Sequence, residues 1–237
     1  KDDRPAETVR ITKNGLSKIA KREKEISAQY KGMLMVCTGT SCVSAKGFKI
    51  RDGLQTLLRD KKLQKDYLVV GTGCNGFCAV GPVVVVQPEG IFYQKVKEKD
   101  LDEIVDNHLK KGNVVKRLLF KDPETDKICK KMADIDFFNK QELLALRNKG
   151  LIDPENIDQY ICRDGYKALA KALEMEPEYI IKEIIKSGIR GRGGGGFPAG
   201  IKWESCLKSM KEKNEITYVV CNADEGDPGA YMDRSML

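Results

Sequence analysis

The chain has 237 residues, 41% of them hydrophobic, and 42 Lys and Arg stand against 35 Asp and Glu for a formal charge of +7. This allows one or two packed domains of roughly 150 residues, and the basic excess is dispersed along Lys-rich segments, which argues against a nucleic-acid track. No run approaches the ~20 apolar residues of a membrane span and no signal-peptide pattern is present, so the expectation is a cytoplasmic protein with no membrane insertion and no nucleic-acid partner.

Residues 1–29 are expected to hold an N-terminal helix. Leu16, Ile19, Ala20, Glu23 and Ile26 fall near helical spacing on a weakly amphipathic face that docks on a partner not visible in the sequence. Residues 30–112 read as a compact α/β unit: strand MLMVC, helix KIRDGLQTLLRD, strand YLVVG, a hairpin of PVVVVQ and IFYQKV around PEG, and the helix DLDEIVDNHLKKG. His108, in that last charged helix, is expected on the surface with no role. Residues 113–160 have broken periodicity and are expected to be an extended linker hugging a surface, with FFNKQELLALRN as its ordered part. Residues 161–237 open with two helices, RDGYKALAKALEM and PEYIIKEIIKSG, the second with Pro177 in its first turn and Gly188 past its end. A glycine loop, a helix KWESCLKSMKEK, a strand EITYVVC and a loop NADEGDPGAYMDRS follow. Because the sequence opens on Lys1 and stops at Leu237 soon after a strand, it is expected to be the N-terminal portion of a longer fold.

Eight cysteines in a chain of this kind point to metal or redox chemistry, or to buried thiols, more than to disulfides. Cys37 and Cys42 sit in VCTGTSC at the end of one expected strand, and Cys74 and Cys78 in TGCNGFC at the end of another. Two strand ends of one small sheet can bring these pairs together. Gly39, Gly73 and Gly76 leave room for a compact object and free backbone N–H groups for sulfur. Four thiolates on two loops suit a 2Fe-2S cluster, each iron taking two. Structural zinc, usually held by pairs separated by two residues, and plain reduced thiols are the alternatives. Cys129, Cys162, Cys206 and Cys221 are solitary and read as packing residues.

The stretch GIRGRGGGGFPAGIKW admits several readings. Gly195 and Gly200 have P-loop spacing, but Ile201 precedes Lys202 and Trp203 stands where a magnesium-binding hydroxyl should follow, so a nucleoside triphosphatase is disfavoured. Gly191, Gly193 and Gly196 formally make GxGxxG, yet the preceding segment reads as a helix rather than a strand. The remaining reading is physical: backbone without Cβ atoms lets a flat ring or a phosphate lie on the main chain, next to a helix N-terminus, with Lys202 adding a charge. Asn222, Asp224, Glu225 and Asp227 in the second loop can accept hydrogen bonds from ribityl or ribose hydroxyls. Together they describe a binder of flavin mononucleotide; the bland alternative is a flexible loop and an acidic turn.

GRGGGGFPAGIKW and CNADEGDPGAYMDR resemble the two nucleotide loops of a known family, the flavin-bearing, NADH-oxidising subunit of respiratory complex I and its soluble relatives in hydrogenases and formate dehydrogenases. FFNKQELLALRNKGLIDPENIDQYI resembles the segment leading into them, and CTGTSC with GTGCNGFC resembles the thioredoxin-like 2Fe-2S domain fused ahead of the flavin domain in the soluble relatives. DEGDPGAYMDRS looks most like the NAD(P)-linked subunit of electron-bifurcating or NADP-reducing hydrogenases. The resemblance implies a thioredoxin-like 2Fe-2S ferredoxin domain followed by the N-terminal part of an α/β FMN/NAD(P)H-binding domain. It implies an NAD(P)H:FMN oxidoreductase in which the backbone of Gly191, Arg192, Gly193, Gly194, Gly195 and Gly196, together with Lys202, receives FMN and dinucleotide phosphates. Asn222 and Asp224 would hold the flavin, Phe197 would stack on a ring of NAD(H) or NADP(H), and Asp227 would lie near the nicotinamide. A 4Fe-4S cluster is expected beyond Leu237, and the implied partners are a hydrogenase or other iron-sulfur catalytic subunit and a small 2Fe-2S subunit. The rival reading is a non-catalytic 2Fe-2S electron carrier whose glycine region serves for docking.

Overall fold

A computed structural model describes residues 12–214 and, beyond them, residues 216, 218, 220, 222, 224 and 226. Helix α1 (Lys13–Ser27) begins at Thr12, whose Oγ1 accepts a hydrogen bond from Gly15 N at 3.2 Å and so satisfies one of the N–H groups a helix start leaves free.

Strand β1 (Gly32–Cys37) sends Leu34 and Val36 into one apolar cluster and Met35 and Cys37 into another, the two-residue alternation of extended chain. Helices α2 (Thr40–Ser44) and α3 (Gly47–Asp60) cross over to β2 (Tyr67–Thr72), which pairs with β1 in parallel. Strand β3 (Val84–Gln87) pairs antiparallel with β1, and β4 (Ile91–Tyr93) antiparallel with β3, giving the order β2-β1-β3-β4. On α3, Ile50, Leu54 and Leu58 recur every four residues and are no more than 2% exposed, covering the face of the sheet that carries Leu34 and Val36. Each such side chain contributes about 1.5–3 kcal/mol by leaving water.

Helix α4 (Leu101–Glu103) continues as a stretch of π-helix, Ile104–Leu109, and packs on the same face. His108 is buried here, contrary to the surface position expected from its charged neighbours. Leu101, Ile104, Val105, His108 and Leu109 share one face, and that face is apolar apart from the imidazole.

The first half of the expected linker forms the second layer of the core. Strands β5 (Phe120–Lys121) and β6 (Ile128–Cys129) make a small hairpin that joins β4 through bridges from Leu119 to Tyr93 and from Lys131 to Ile91. Phe120, Cys129 and Ile135 then pack with Met35, Val70, Val85 and Phe92 on the other face of the sheet. The reason lies in β3: Val84, Val85 and Val86 are at most 1% exposed, so both faces of the sheet need cover. Helix α5 (Asp136–Asn139) closes this layer; only the first residues of the FFNKQELLALRN segment are helical, and Leu143 and Leu144 are exposed.

Helices α6 (Ile157–Cys162) and α7 (Lys167–Ala172) supply the partner that α1 lacked in the sequence, with an ion pair from Arg22 to Asp158 across the contact. Helix α8 (Pro177–Ser187) carries Pro at its start and Gly188 at its end, as expected, and packs on α9 (Ala199–Lys213). At their crossing, a methyl on Gly200 would meet the Ile185 backbone at 2.8 Å, so Gly200 is a packing glycine. Of the expected strand over 215–221, positions 215, 217, 219 and 221 lie outside the described residues; Ile216, Tyr218 and Val220 are exposed. Among the described residues no helix is long and apolar enough to cross a membrane.

Candidate functional site

Cys37 ends β1 and Cys42 lies in α2, while Cys74 and Cys78 flank the loop after β2. Parallel pairing of β1 with β2, with Cys37 opposite Thr72, brings the two loops to one edge of the sheet. There the four thiols influence one another's protonation in series, Cys42 with Cys37, Cys37 with Cys74, and Cys74 with Cys78. The contact with Cys42 raises the Cys37 thiol pKa and the same contact lowers that of Cys42; the contact with Cys37 drives Cys74 well above the ordinary thiol range.

Backbone N–H groups favour thiolate here. Gly76 N donates to Cys74 Sγ at 3.2 Å, and the backbone at Asn75 and at Val83 acts to lower the pKa of Cys37 and of Cys42. Such donors stabilise thiolate and, with it, a bound metal-sulfur centre. Two glycines keep the surroundings thin. A methyl at Gly39 would lie 2.8 Å from Cys74 Cβ, and one at Gly81 would lie 2.8 Å from Cys42 Sγ. Among the described residues, the buried side-chain polar atoms without a hydrogen-bond partner are Thr72 Oγ1 and both amide atoms of Asn75, all within two residues of Cys74. Orphaned polar atoms cost about 1–3 kcal/mol each. The Thr72 hydroxyl and the Asn75 amide nitrogen are donors, and their gathering at this loop fits a centre that brings sulfur acceptors of its own.

Among the described residues no group of three or more His, Cys, Asp or Glu side chains is arranged to hold a metal ion. Four thiols on two loops are the donor set of a two-iron centre, two thiolates to each iron.

Phe77, between Cys74 and Cys78, anchors the loop. Its ring stacks on Phe137 at 4.6 Å and 7° and meets Phe120 at 5.3 Å and Phe138 edge-on at 5.6 Å. Neither Phe77 nor the Phe137–Phe138 pair stood out in the sequence as part of the site; the signal available was an aromatic residue inside the cysteine loop and a double aromatic downstream. Of the solitary cysteines, Cys129 is buried in the core with its thiol donating to Asp134 O at 3.4 Å, as a packing residue should be. Cys206 is exposed, so packing does not account for it, and Cys221 lies outside the described residues.

The glycine loop is pinched at its neck. Gly191 N donates to Phe197 O at 2.8 Å, Ala199 N to Ile189 O at 3.0 Å, and Arg190 Nε to Gly196 O. The tip, from Arg192 to Gly195, is exposed, and methyl groups built on Gly193, Gly194 and Gly195 would meet nothing within 4 Å. These glycines are therefore not dictated by contacts within the chain. Gly194, at φ +97°, and Gly196, at φ +59°, hold left-handed backbone that side chains disfavour. Lys202, in the first turn of α9, reaches back to this neck: its Nζ lies 5.8 Å from the centroid of the Phe197 ring and 3.4 Å from where a Gly191 methyl would be. The neck thus combines open main chain, an ammonium, a half-exposed aromatic ring and the N-terminus of a 15-residue helix, a setting that favours a planar anion. Asn222 and Asp224 are exposed and bonded to each other, Asp224 N donating to Asn222 Oδ1 at 2.9 Å. Glu225 and Asp227 lie outside the described residues.

Comparison with known proteins divides the chain as the two sites do. Residues 5–109 match the family model of the thioredoxin-like [2Fe-2S] ferredoxin, and residues 184–237 that of the Nuo51 FMN-binding domain. The chain is 52% identical over 106 residues, 45% of its length, to the NADP-reducing hydrogenase subunit HndC of Solidesulfovibrio fructosivorans, of which this covers 21%. It is 46% identical over 82 residues, 35% of its length, to an NADH-quinone oxidoreductase subunit of Aquifex aeolicus, of which this covers 18%. The matches thus span about a fifth of the length of these curated relatives. The crystal structure of the thioredoxin-like [2Fe-2S] ferredoxin from Aquifex aeolicus is 32% identical, covering 38% of this chain and 97% of that one with a TM-score of 0.36. The chain is therefore similar to the thioredoxin-like [2Fe-2S] ferredoxin family over residues 5–109 and to the Nuo51 FMN-binding family over residues 184–237.

Proposed function

We propose that this chain is part of an NAD(P)H:FMN oxidoreductase subunit of a hydrogenase-type complex, passing electrons between a nicotinamide cofactor and iron-sulfur centres. The observation that carries the reading is the pinched glycine loop with Lys202 at its neck, because it separates a flavin enzyme from a plain iron-sulfur carrier. The relatives, an NADP-reducing hydrogenase subunit and an NADH-quinone oxidoreductase subunit, support the same reaction class.

In this reading FMN, when bound, takes a hydride from the nicotinamide and releases electrons singly. The chain's own residues do the rest. The N–H groups of Gly191–Gly196 and the Lys202 ammonium receive phosphate, Phe197 offers a face for stacking, and Asn222, Asp224, Glu225 and Asp227 accept from hydroxyls. Cys37, Cys42, Cys74 and Cys78 hold a 2Fe-2S cluster, Phe77 fixes their loop, and the backbone N–H groups of Asn75, Gly76 and Val83 hydrogen-bond the ligating sulfurs. A 4Fe-4S cluster further along the protein, a small 2Fe-2S subunit and an iron-sulfur catalytic subunit complete the route, with electron bifurcation as its most elaborate form.

Reduction of a dye by NADH or NADPH with the full-length subunit tests this. A flavin enzyme reduces the dye in proportion to its FMN content; iron-loaded protein with no dye reduction by either nucleotide leaves only the carrier reading.

A further inference from the structure

The segment that follows α5 returns to the cysteine loop and seals it at two adjacent residues. Gly150, buried and at φ +71°, lies against Asn75: a methyl there would be 2.3 Å from Asn75 Oδ1, so only glycine lets the segment come this close. That contact sets the register of its neighbour. Lys149 Nζ lies 2.6 Å from where a Gly76 methyl would be, directly over the turn whose N–H bonds Cys74 Sγ.

The ammonium is held from behind as well. It sits 6.0 Å from the centroid of the Phe137 ring, which stacks on Phe77 of the same cysteine loop. Lys149 is half-buried, and no carboxylate among the described residues pairs with it. Lys149 and Gly150 also line, with Cys74 and Glu155, a cavity of about 560 Å³ between this loop and residues 145–166. A half-buried cation without a counter-ion is unfavourable unless negative charge lies near it. The charge this loop would carry is that of a thiolate-bound two-iron centre, which becomes one unit more negative on reduction.

We infer that Lys149 is an electrostatic tuning residue, held over the Cys74–Gly76 turn so that its ammonium stabilises the reduced state of a 2Fe-2S centre on the four cysteines. The inference rests on the cluster assignment in the proposed function. Its physical basis is that nearby charge sets iron-sulfur potentials, and that a partly buried charge is screened less than one in open solvent. Gly150 and Asn75 position it, and the 145–166 segment becomes part of the redox site.

The test is an EPR-monitored redox titration of the full-length protein in three forms: unaltered, Lys149→Gln and Lys149→Arg. The signal that disappears in Cys74→Ser identifies the cluster of this loop. Lys149→Gln should keep that signal and its iron but lower its midpoint potential, on the order of tenfold in the one-electron reduction constant, or about 59 mV. Lys149→Arg should restore most of the shift. Equal potentials in the unaltered and Gln proteins overturn the inference while leaving the cluster in place, and an equal fall in Gln and Arg overturns it as a packing effect. If no 2Fe-2S signal depends on Cys74, the cluster assignment fails and the inference with it.

Discussion

Gly81 faces the sulfur of Cys42 so closely that a methyl group there would lie 2.8 Å from Sγ and 3.4 Å from Cys78 O. Its backbone, at φ −70° and ψ 161°, suits any residue, so the sulfur alone demands glycine. Gly81→Ala should therefore leave the fold intact and disturb the place where the two cysteine pairs meet. Overpacking of this kind costs about 1–3 kcal/mol. The expected result is far-UV circular dichroism like that of the unaltered protein with a clearly lower ratio of iron to protein; full iron loading would show that the glycine does not shape the centre.

Lys202 reaches the neck of the glycine loop from the first turn of α9, and a charge-assisted contact to phosphate is worth about 1.5–3 kcal/mol. In the full-length subunit, Lys202→Ala should weaken FMN binding about tenfold or more, measured as flavin fluorescence released on dilution. Unchanged flavin retention would remove Lys202 from the phosphate site.

His108 couples the ferredoxin core to pH. The Tyr93 hydroxyl accepts from Val115 N at 3.0 Å and is hydrogen-bonded with His108 Nδ1 at 2.9 Å. Burial lowers the His108 pKa and pushes Tyr93 up to about 12. Since the folded state resists protonating His108 while the unfolded state does not, stability is undiminished above the ordinary histidine pKa of about 6.5. It falls as pH drops below that value, where the unfolded chain takes up a proton first. Urea unfolding followed from pH 8 to pH 5 should show this loss, and His108→Gln should flatten it. A slope that is the same in the variant would place the titrating group elsewhere.

Local pattern in the sequence was sufficient for β1 to β4, for α3 and for α8 with its proline start and glycine end, because each depends on side-chain periodicity and on residues next to it in the chain. It also singled out two cysteine pairs and a glycine loop as the candidate sites. His108 shows where that reasoning stopped: charged neighbours suggested solvent, while the spacing from Leu101 through Leu109 put the imidazole on the buried face.

Tertiary structure alone decided the rest. Parallel register between β1 and β2 determined that the cysteine pairs meet. The need to cover both faces of the valine strand turned residues 113–135 from connector into core. Gly150 pressing on Asn75 put Lys149 over the cysteine turn, more than seventy residues downstream of it. Contacts of this range carry no periodic signature, since they depend on which surfaces remain uncovered once the local elements have formed.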